Sequence, residues 1–180
     1  MRNHLERILY HESTILARLD EMAQEIARDY AGKDLAVVAV MNGSLMFLAD
    51  LLRRIPLPLR FDCLAVASYH GGTRSSGRVD FLQNKLPDID GRHVLVLDDI
   101  LDSGITLDAV RRRLETERSP LSVRVCVLLR KRRPRESRVD ADYVGFDIAD
   151  EFVVGYGLDY RERYRNLPLI GVLGAEHIAG

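Results

Sequence analysis

Helical and extended hydrophobic patterns alternate along most of this chain. Between residues 11 and 30, Ile15, Leu16, Leu19, Met22, Ala23, Ile26, Ala27 and Tyr30 recur at helical spacing and predict a helix with one apolar face. Ser13 or Thr14 is placed to cap its start, and Gly32 to end it. The run Leu35–Met41 is continuous and largely β-branched, the mark of a strand covered on both faces. Asn42-Gly43-Ser44 predicts a turn. Residues 45–54 then return to helical spacing through Phe47, Leu48, Leu51 and Leu52, until Pro56 and Pro58 break the pattern. Further strands are predicted at 61–69, 93–98 and 123–129, with a helix marked by Leu107, Val110 and Leu114 between the last two. Shorter strand candidates lie at 143–146, 152–154 and 169–173. Residues 1–7 carry charge straight into a helical pattern.

This alternation points to an α/β fold with a largely parallel sheet flanked by helices. Ligands of such sheets bind beyond the carboxyl ends of the strands, so the segments after each strand are where chemistry belongs. The length of 180 residues suits a single domain spanning 1–180. Lys and Arg total 26 against 27 for Asp and Glu, a formal net charge of −1, which argues against a protein held to nucleic acid by electrostatics. Cys63 and Cys126 stand in apolar stretches and fit no metal or redox spacing. With no signal-peptide core at the start and no apolar run long enough for a membrane span, the expectation is a cytoplasmic protein without membrane contact. Two polar stretches stand apart. Residues 70–79 form a Gly- and Ser-rich loop, either a plain surface loop or a lid. Residues 130–138 carry six bases around Pro134, either a solvated turn or a basic patch.

The most informative run is Val94-Leu95-Val96-Leu97-Asp98-Asp99-Ile100-Leu101-Asp102-Ser103-Gly104-Ile105-Thr106. An apolar strand runs into two adjacent acids, and a short loop then opens the next helix. Gly104 lets the backbone turn tightly and approach a ligand. The helix-start N–H groups, with the Ser103 and Thr106 hydroxyls, make a nest suited to a phosphate. Two successive carboxylates at a strand end are unfavourable unless they meet a cation or hydroxyl donors, so a sugar diol or a hydrated magnesium ion would serve. Helix capping by Asp102 or Ser103 would account for Asp102-Ser103-Gly104 alone, but not for the whole run. Other nucleotide signatures fail: there is no G-x-x-x-x-G-K-[ST], and Gly155-Tyr156-Gly157 lacks a third glycine.

That run resembles the signature with which type I phosphoribosyltransferases bind phosphoribosyl pyrophosphate (PRPP). The segments 142–148, 152–160 and 164–168 look like the C-terminal part of hypoxanthine-guanine phosphoribosyltransferases. Leu128-Leu129-Arg130-Lys131-Arg132 resembles that family's purine-contacting segment, Ser68-Tyr69 its lid, and residues 43–52 its pyrophosphate loop and following helix. The resemblance implies a core over about 35–140, with a small hood made of the N-terminal helix and about 141–180. It implies transfer of the 5-phosphoribosyl group from PRPP to hypoxanthine or guanine, with release of pyrophosphate. Asp98 and Asp99 would face the ribose hydroxyls, and Ser103, Gly104, Ile105 and Thr106 the 5-phosphate. Asp102 would be the acid–base carboxylate and a further PRPP contact; Asn42, Gly43 and Arg165 would meet the pyrophosphate. Lys131 would donate to the purine 6-oxygen, Phe152 would stack on the ring, and the Val153 carbonyl would read its edge. Asp98, Asp99 and Asp159 would be the metal ligands for Mg²⁺, with Asp159, at the purine end of the site, holding the second ion. The same resemblance implies a homodimer or homotetramer.

Two positions depart from the family pattern. Asn42 stands where a basic residue is usual, and Ile105 where many relatives have Lys, so phosphate and pyrophosphate capture leans on backbone donors, hydroxyls, Arg165 and metal. A second hypothesis, a regulator of this fold that binds RNA or DNA, draws only on the basic stretch 130–138. An adenine or pyrimidine enzyme is disfavoured by Lys131 and the 152–160 segment.

Overall fold

The computed structural model describes residues 1–68, 79–83, 85–134 and 136–178. Tyr69 and residues 70–78, the bulk of the expected lid, lie outside the described residues; Ser68 closes a strand. The described chain runs β1 (Leu5–His11), α1 (Glu12–Asp29), β2 (Leu35–Met41), α2 (Leu45–Leu52), β3 (Leu59–Ser68) and β4 (Val79–Phe81). It continues through β5 (His93–Leu101), α3 (Ile105–Glu117), β6 (Ser122–Lys131), β7 (Tyr143–Ile148), β8 (Val153–Val154), β9 (Leu169–Leu173) and α4 (Ala175–Ile178). Six strands form one sheet in the order β4-β3-β2-β5-β6-β7, parallel except where β4 pairs antiparallel with β3. A small antiparallel sheet, β1-β9-β8, stands apart from it.

Period-two alternation sorts the large sheet into two layers. Along β2, Leu35, Val37 and Ala39 face the layer of α1 and α2, where Ile15, Leu19, Met22, Ile26, Phe47 and Leu51 are buried. The intervening Ala36, Val38 and Val40 face α3, whose Leu107, Val110 and Leu114 fill the other layer with Leu86 and Ile89. Leu95 and Leu97 of β5 and Cys126 of β6 follow the first set; Val94, Val96, Val125 and Val127 follow the second. With both faces covered, these strands have no polar side, and so read as unbroken apolar runs.

Several boundaries differ from the sequence expectation. Helix α1 begins at Glu12 with His11 as its N-cap, so Ser13 and Thr14 sit inside the first turn rather than capping it. Gly32, at φ +71°, does follow the helix end in a left-handed conformation. Residues 5–11, expected to join a helical pattern, form β1, because β9 offers an edge from Leu5↔Leu173 to His11↔Leu169. The small sheet thus takes a strand from the N-terminus, while α1 packs on α2 and the large sheet. Strand β7 pairs with β6, so the core reaches Ile148 rather than about 140. Strand β5 continues past Asp98 to Leu101 and carries both acids within its pairing to β6.

Candidate active site at the carboxyl edge of the sheet

Because β2, β5 and β6 are parallel, the segments after Met41, Leu101 and Lys131 emerge at one edge. The chain leaves β2 toward β3 on one side and β5 toward β6 on the other. The gap between the ends of β2 and β5 is thus the switch point at which open α/β sheets bind ligands.

Asp98 is buried, and its Oδ1 accepts the Asp99 N–H at 2.9 Å. Burial and the adjacent Asp99 push the Asp98 carboxyl well above the usual carboxylate range. Burial also raises Asp99, against the opposing influence of the Arg165 charge. Ionising this pair is therefore unfavourable unless a cation or hydroxyl donors meet it. The β2 turn is wedged beside it: a Cβ on Gly43 would lie 1.8 Å from Asp99 Oδ2, so any larger residue there would push the Asp99 carboxylate aside. Behind Gly43 stands Gly157, at φ +102°, where a Cβ would meet the Gly43 carbonyl oxygen at 2.0 Å. Asn42 enters this turn through a cis peptide with Met41, and the buried Ser44 hydroxyl donates to the Val40 carbonyl.

Arg165 braces the loop that carries Gly157. Its guanidinium donates to the Gly157 carbonyl at 2.8 Å and pairs with Asp159 Oδ1 at 2.9 Å, while the Gly157 N–H donates to the Arg165 carbonyl. The Glu162 N–H occupies Asp159 Oδ2 at 2.9 Å. Asp159 therefore spends both oxygens within its own loop. Among the described residues no three His, Cys, Asp or Glu side chains converge as a metal-holding cluster, so Asp98, Asp99 and Asp159 are not a preformed trio.

The loop after β5 is shaped for an anion. Gly104 sits at φ +81° as the N-cap of α3, and no side chain caps the helix among the described residues. The first-turn N–H groups of Thr106 and Leu107 thus lack intrahelical acceptors. Ser103 Oγ accepts the Ile105 N–H at 3.4 Å, and the Ser103 carbonyl accepts the N–H groups of Glu136 and Ser137 at 3.2 and 3.3 Å. A Cβ on Gly104 would press on Val139 at 3.0 Å, so the 136–139 segment backs this loop closely.

Asp102 belongs to a second cluster. Lys131 Nζ lies 3.0 Å from Asp102 Oδ2 and 3.3 Å from Asp150 Oδ1, with only 10% of its side chain exposed. Arg133 lies 3.1 Å from Asp102 Oδ1 and 3.6 Å from Asp150 Oδ1. Nearby in sequence, Phe152 is 40% exposed and meets Tyr160 edge-to-face at 5.5 Å; the buried Val153 pairs with Val172. The sequence reading did not single out Asp150, and it grouped Arg133 with the solvated bases. Neither carries a pattern of its own; their signal is pairing across residues distant in sequence.

A family profile described as a phosphoribosyl transferase domain matches residues 7–161. The hypoxanthine-guanine phosphoribosyltransferase of Mycobacterium avium is 47% identical over 175 residues, covering 94% of this chain and 86% of that protein. A hypoxanthine phosphoribosyltransferase structure from Staphylococcus aureus superposes with a TM-score of 0.94 at 42% identity, covering 100% of this chain and 97% of that one. One from Trypanosoma cruzi, solved as a ternary substrates complex, superposes with a TM-score of 0.89 at 39% identity, covering 99% and 100%. With the sheet order and the loops at its carboxyl edge, these likenesses place the chain: it belongs to the hypoxanthine-guanine phosphoribosyltransferase family.

Proposed function

We propose that this protein is a purine-salvage enzyme. It transfers the 5-phosphoribosyl group of PRPP to hypoxanthine or guanine, giving IMP or GMP and pyrophosphate. The observation that carries this reading is the 3.0 Å pairing of Lys131 with Asp102 at the adjoining ends of β5 and β6. One group can donate to a 6-oxo oxygen, and the other can take or return a ring proton, from neighbouring places. An ammonium has three donors and no acceptor, so it suits an oxo group and not the amino group of adenine.

The other roles follow from the chemistry of the positions. Asp98 and Asp99 accept from the ribose hydroxyls. The Ser103, Gly104, Ile105 and Thr106 loop holds the 5-phosphate on the N-terminus of α3. Asn42 and Gly43 offer the turn after β2 to the pyrophosphate, and Arg165 supplies charge there. Phe152 stacks on the base, with the Val153 carbonyl at its edge, and Ser68 and Tyr69 open the lid. Loss of pyrophosphate leaves positive character on the ribose ring, and the neighbouring carboxylates favour that charge as it develops.

The residues fit Mg²⁺. Asp98 and Asp99 are adjacent acids raised by burial, and Mg²⁺ is commonly held by one or two carboxylates together with substrate phosphates and water. Asp159 would hold a second ion, with its Oδ1 shared with Arg165 and its Oδ2 with the Glu162 N–H. When bound, the ion supplies positive charge against the diphosphate. The protein acts in the cytoplasm as a homodimer or homotetramer. Among the described residues, no helix is long and apolar enough to cross a membrane.

The deciding assay gives purified protein PRPP, Mg²⁺ and each nucleobase in turn. IMP from hypoxanthine or GMP from guanine is expected, with no product from adenine. Failure with both 6-oxopurines, or product from adenine alone, would overturn the reading.

A further inference from the structure

We propose that Arg133 is a positioning residue for Asp102, and that Asp150 is the carboxylate that holds Arg133 and Lys131 in place together. The inference rests on the transfer reaction above. Four groups alternate in sign: Lys131 meets Asp102 Oδ2 at 3.0 Å, and Arg133 meets Asp102 Oδ1 at 3.1 Å. Asp150 Oδ1 faces the same two cations at 3.3 and 3.6 Å. One cation on one oxygen leaves a carboxylate free to turn about its last bond. Cations on both oxygens fix its plane, and with it the direction in which its remaining lone pairs point.

The backbone explains why Arg133 reaches the site while its neighbours do not. Beyond β6 the chain bends at Arg133, and Lys131 and Arg133 both reach Asp102 and Asp150. The Arg133 N–H donates to the Lys131 carbonyl at 3.1 Å and keeps the two close. The Arg132 N–H donates to the Ile148 carbonyl at 2.9 Å. Arg130 is engaged elsewhere, with Asp147 at 2.7 Å and Asp140 at 3.5 Å.

Arg133 and Asp102 are each more than one-third exposed (36% and 39%), and ion pairs at such positions add little to stability. The role assigned to Arg133 is orientation, and catalysis is sensitive to it: misplacement by about 1 Å can cost ~100-fold in rate. Steady-state kinetics on the full chain test this, with kcat and the KM for hypoxanthine and for PRPP measured separately. Arg133→Ala should lower kcat about tenfold, with the KM for PRPP within twofold of wild type and an unchanged melting temperature. Arg133→Lys, which keeps a cation within reach of Oδ1, should restore most of the loss, and Arg133→Gln should not. Asp150→Asn should raise the KM for hypoxanthine and lower kcat together, since both cations lose their shared partner. Arg130→Ala is the control and should leave kcat within twofold. Wild-type kcat in Arg133→Ala, or no better rate for Lys than for Gln, would overturn the role while the transfer reaction stands. A wild-type protein that forms no nucleotide from hypoxanthine or guanine would overturn both.

Discussion

At the scale of single residues, the acids of β5 set function against stability. Asp98 is buried beside Asp99, and its carboxyl is raised by burial and by that neighbour. A carboxyl raised in the folded state favours folding while it is protonated, and that contribution is lost as pH rises through the folded-state value. Without ligand, Asp98 therefore weighs against the fold at neutral and alkaline pH. Asp98→Asn should stabilise the free protein at pH 8 by on the order of 1 kcal/mol, as relief of a buried like-charge contact commonly does. The gain should shrink toward pH 4, where the acids hold their protons. Denaturant melts of both proteins at several pH values check the sign; equal stability at pH 8 would remove the charge argument. The same variant should bind PRPP poorly, since it discards an acceptor for the ribose hydroxyls. Asp102, paired with Lys131 at the rim, makes a separate case. Asp102→Asn should lower kcat by about 100-fold or more, because positioned acid–base help is typically worth 10²–10⁴-fold. Single-turnover rates with saturating PRPP separate that loss from a binding defect.

Between elements, the strand ends are joined by two glycines whose demands differ. A methyl on Gly43 meets the end of the Asp99 side chain, which can rotate aside. One on Gly157 meets backbone, the Gly43 carbonyl, at a φ of +102° that strains any other residue. Gly157→Ala should therefore destabilise the protein by at least about 2 kcal/mol, a backbone clash and an unfavourable conformation acting together. Gly43→Ala should melt close to wild type yet weaken PRPP binding by turning Asp99 away. Urea melts and PRPP titrations on the pair distinguish the effects, and similar losses of stability in both would refute the distinction. The central elements were legible because burial on both faces leaves an apolar signature, as in Leu35–Met41 and residues 93–98, although β5 itself runs on through the acids to Leu101. Strand β1 was not legible: its burial does not alternate, and it exists because β9 pairs with it. The acids and the loop that follows β5 were visible as one contiguous run. The Arg133–Asp150 contact was invisible, since it joins separate segments that show no pattern individually.

For the molecule as a whole, charge is distributed in pairs rather than fields. The net charge is −1, and the cluster after β6 that suggested a nucleic-acid patch is internally compensated at three of its bases. Arg130 pairs with Asp147, and Lys131 and Arg133 pair with Asp102 and Asp150. Cations already spent on carboxylates have little left to release counterions from a phosphate backbone. The negative charge that burial disfavours lies instead on Asp98 and the part-buried Asp99, between the ends of β2 and β5, beside the turn that Gly157 backs. A ligand that neutralises this charge should stabilise the entire fold, because it bridges sheet and hood at once. Mass action gives the size: PRPP with Mg²⁺ at about 100 times its dissociation constant should add ~2.7 kcal/mol. For a chain of this length that is a rise in melting temperature of roughly 5–10 °C. PRPP in EDTA should give much less, because its diphosphate then adds negative charge near Asp98 and Asp99 with no cation between them. Mg²⁺ alone should also give little, since the acids do not form a preformed cluster with Asp159. Thermal melts with PRPP, Mg²⁺, both, and both plus EDTA measure this directly. An equal shift from PRPP with and without chelator would show that the acids bind the ribose unaided by metal.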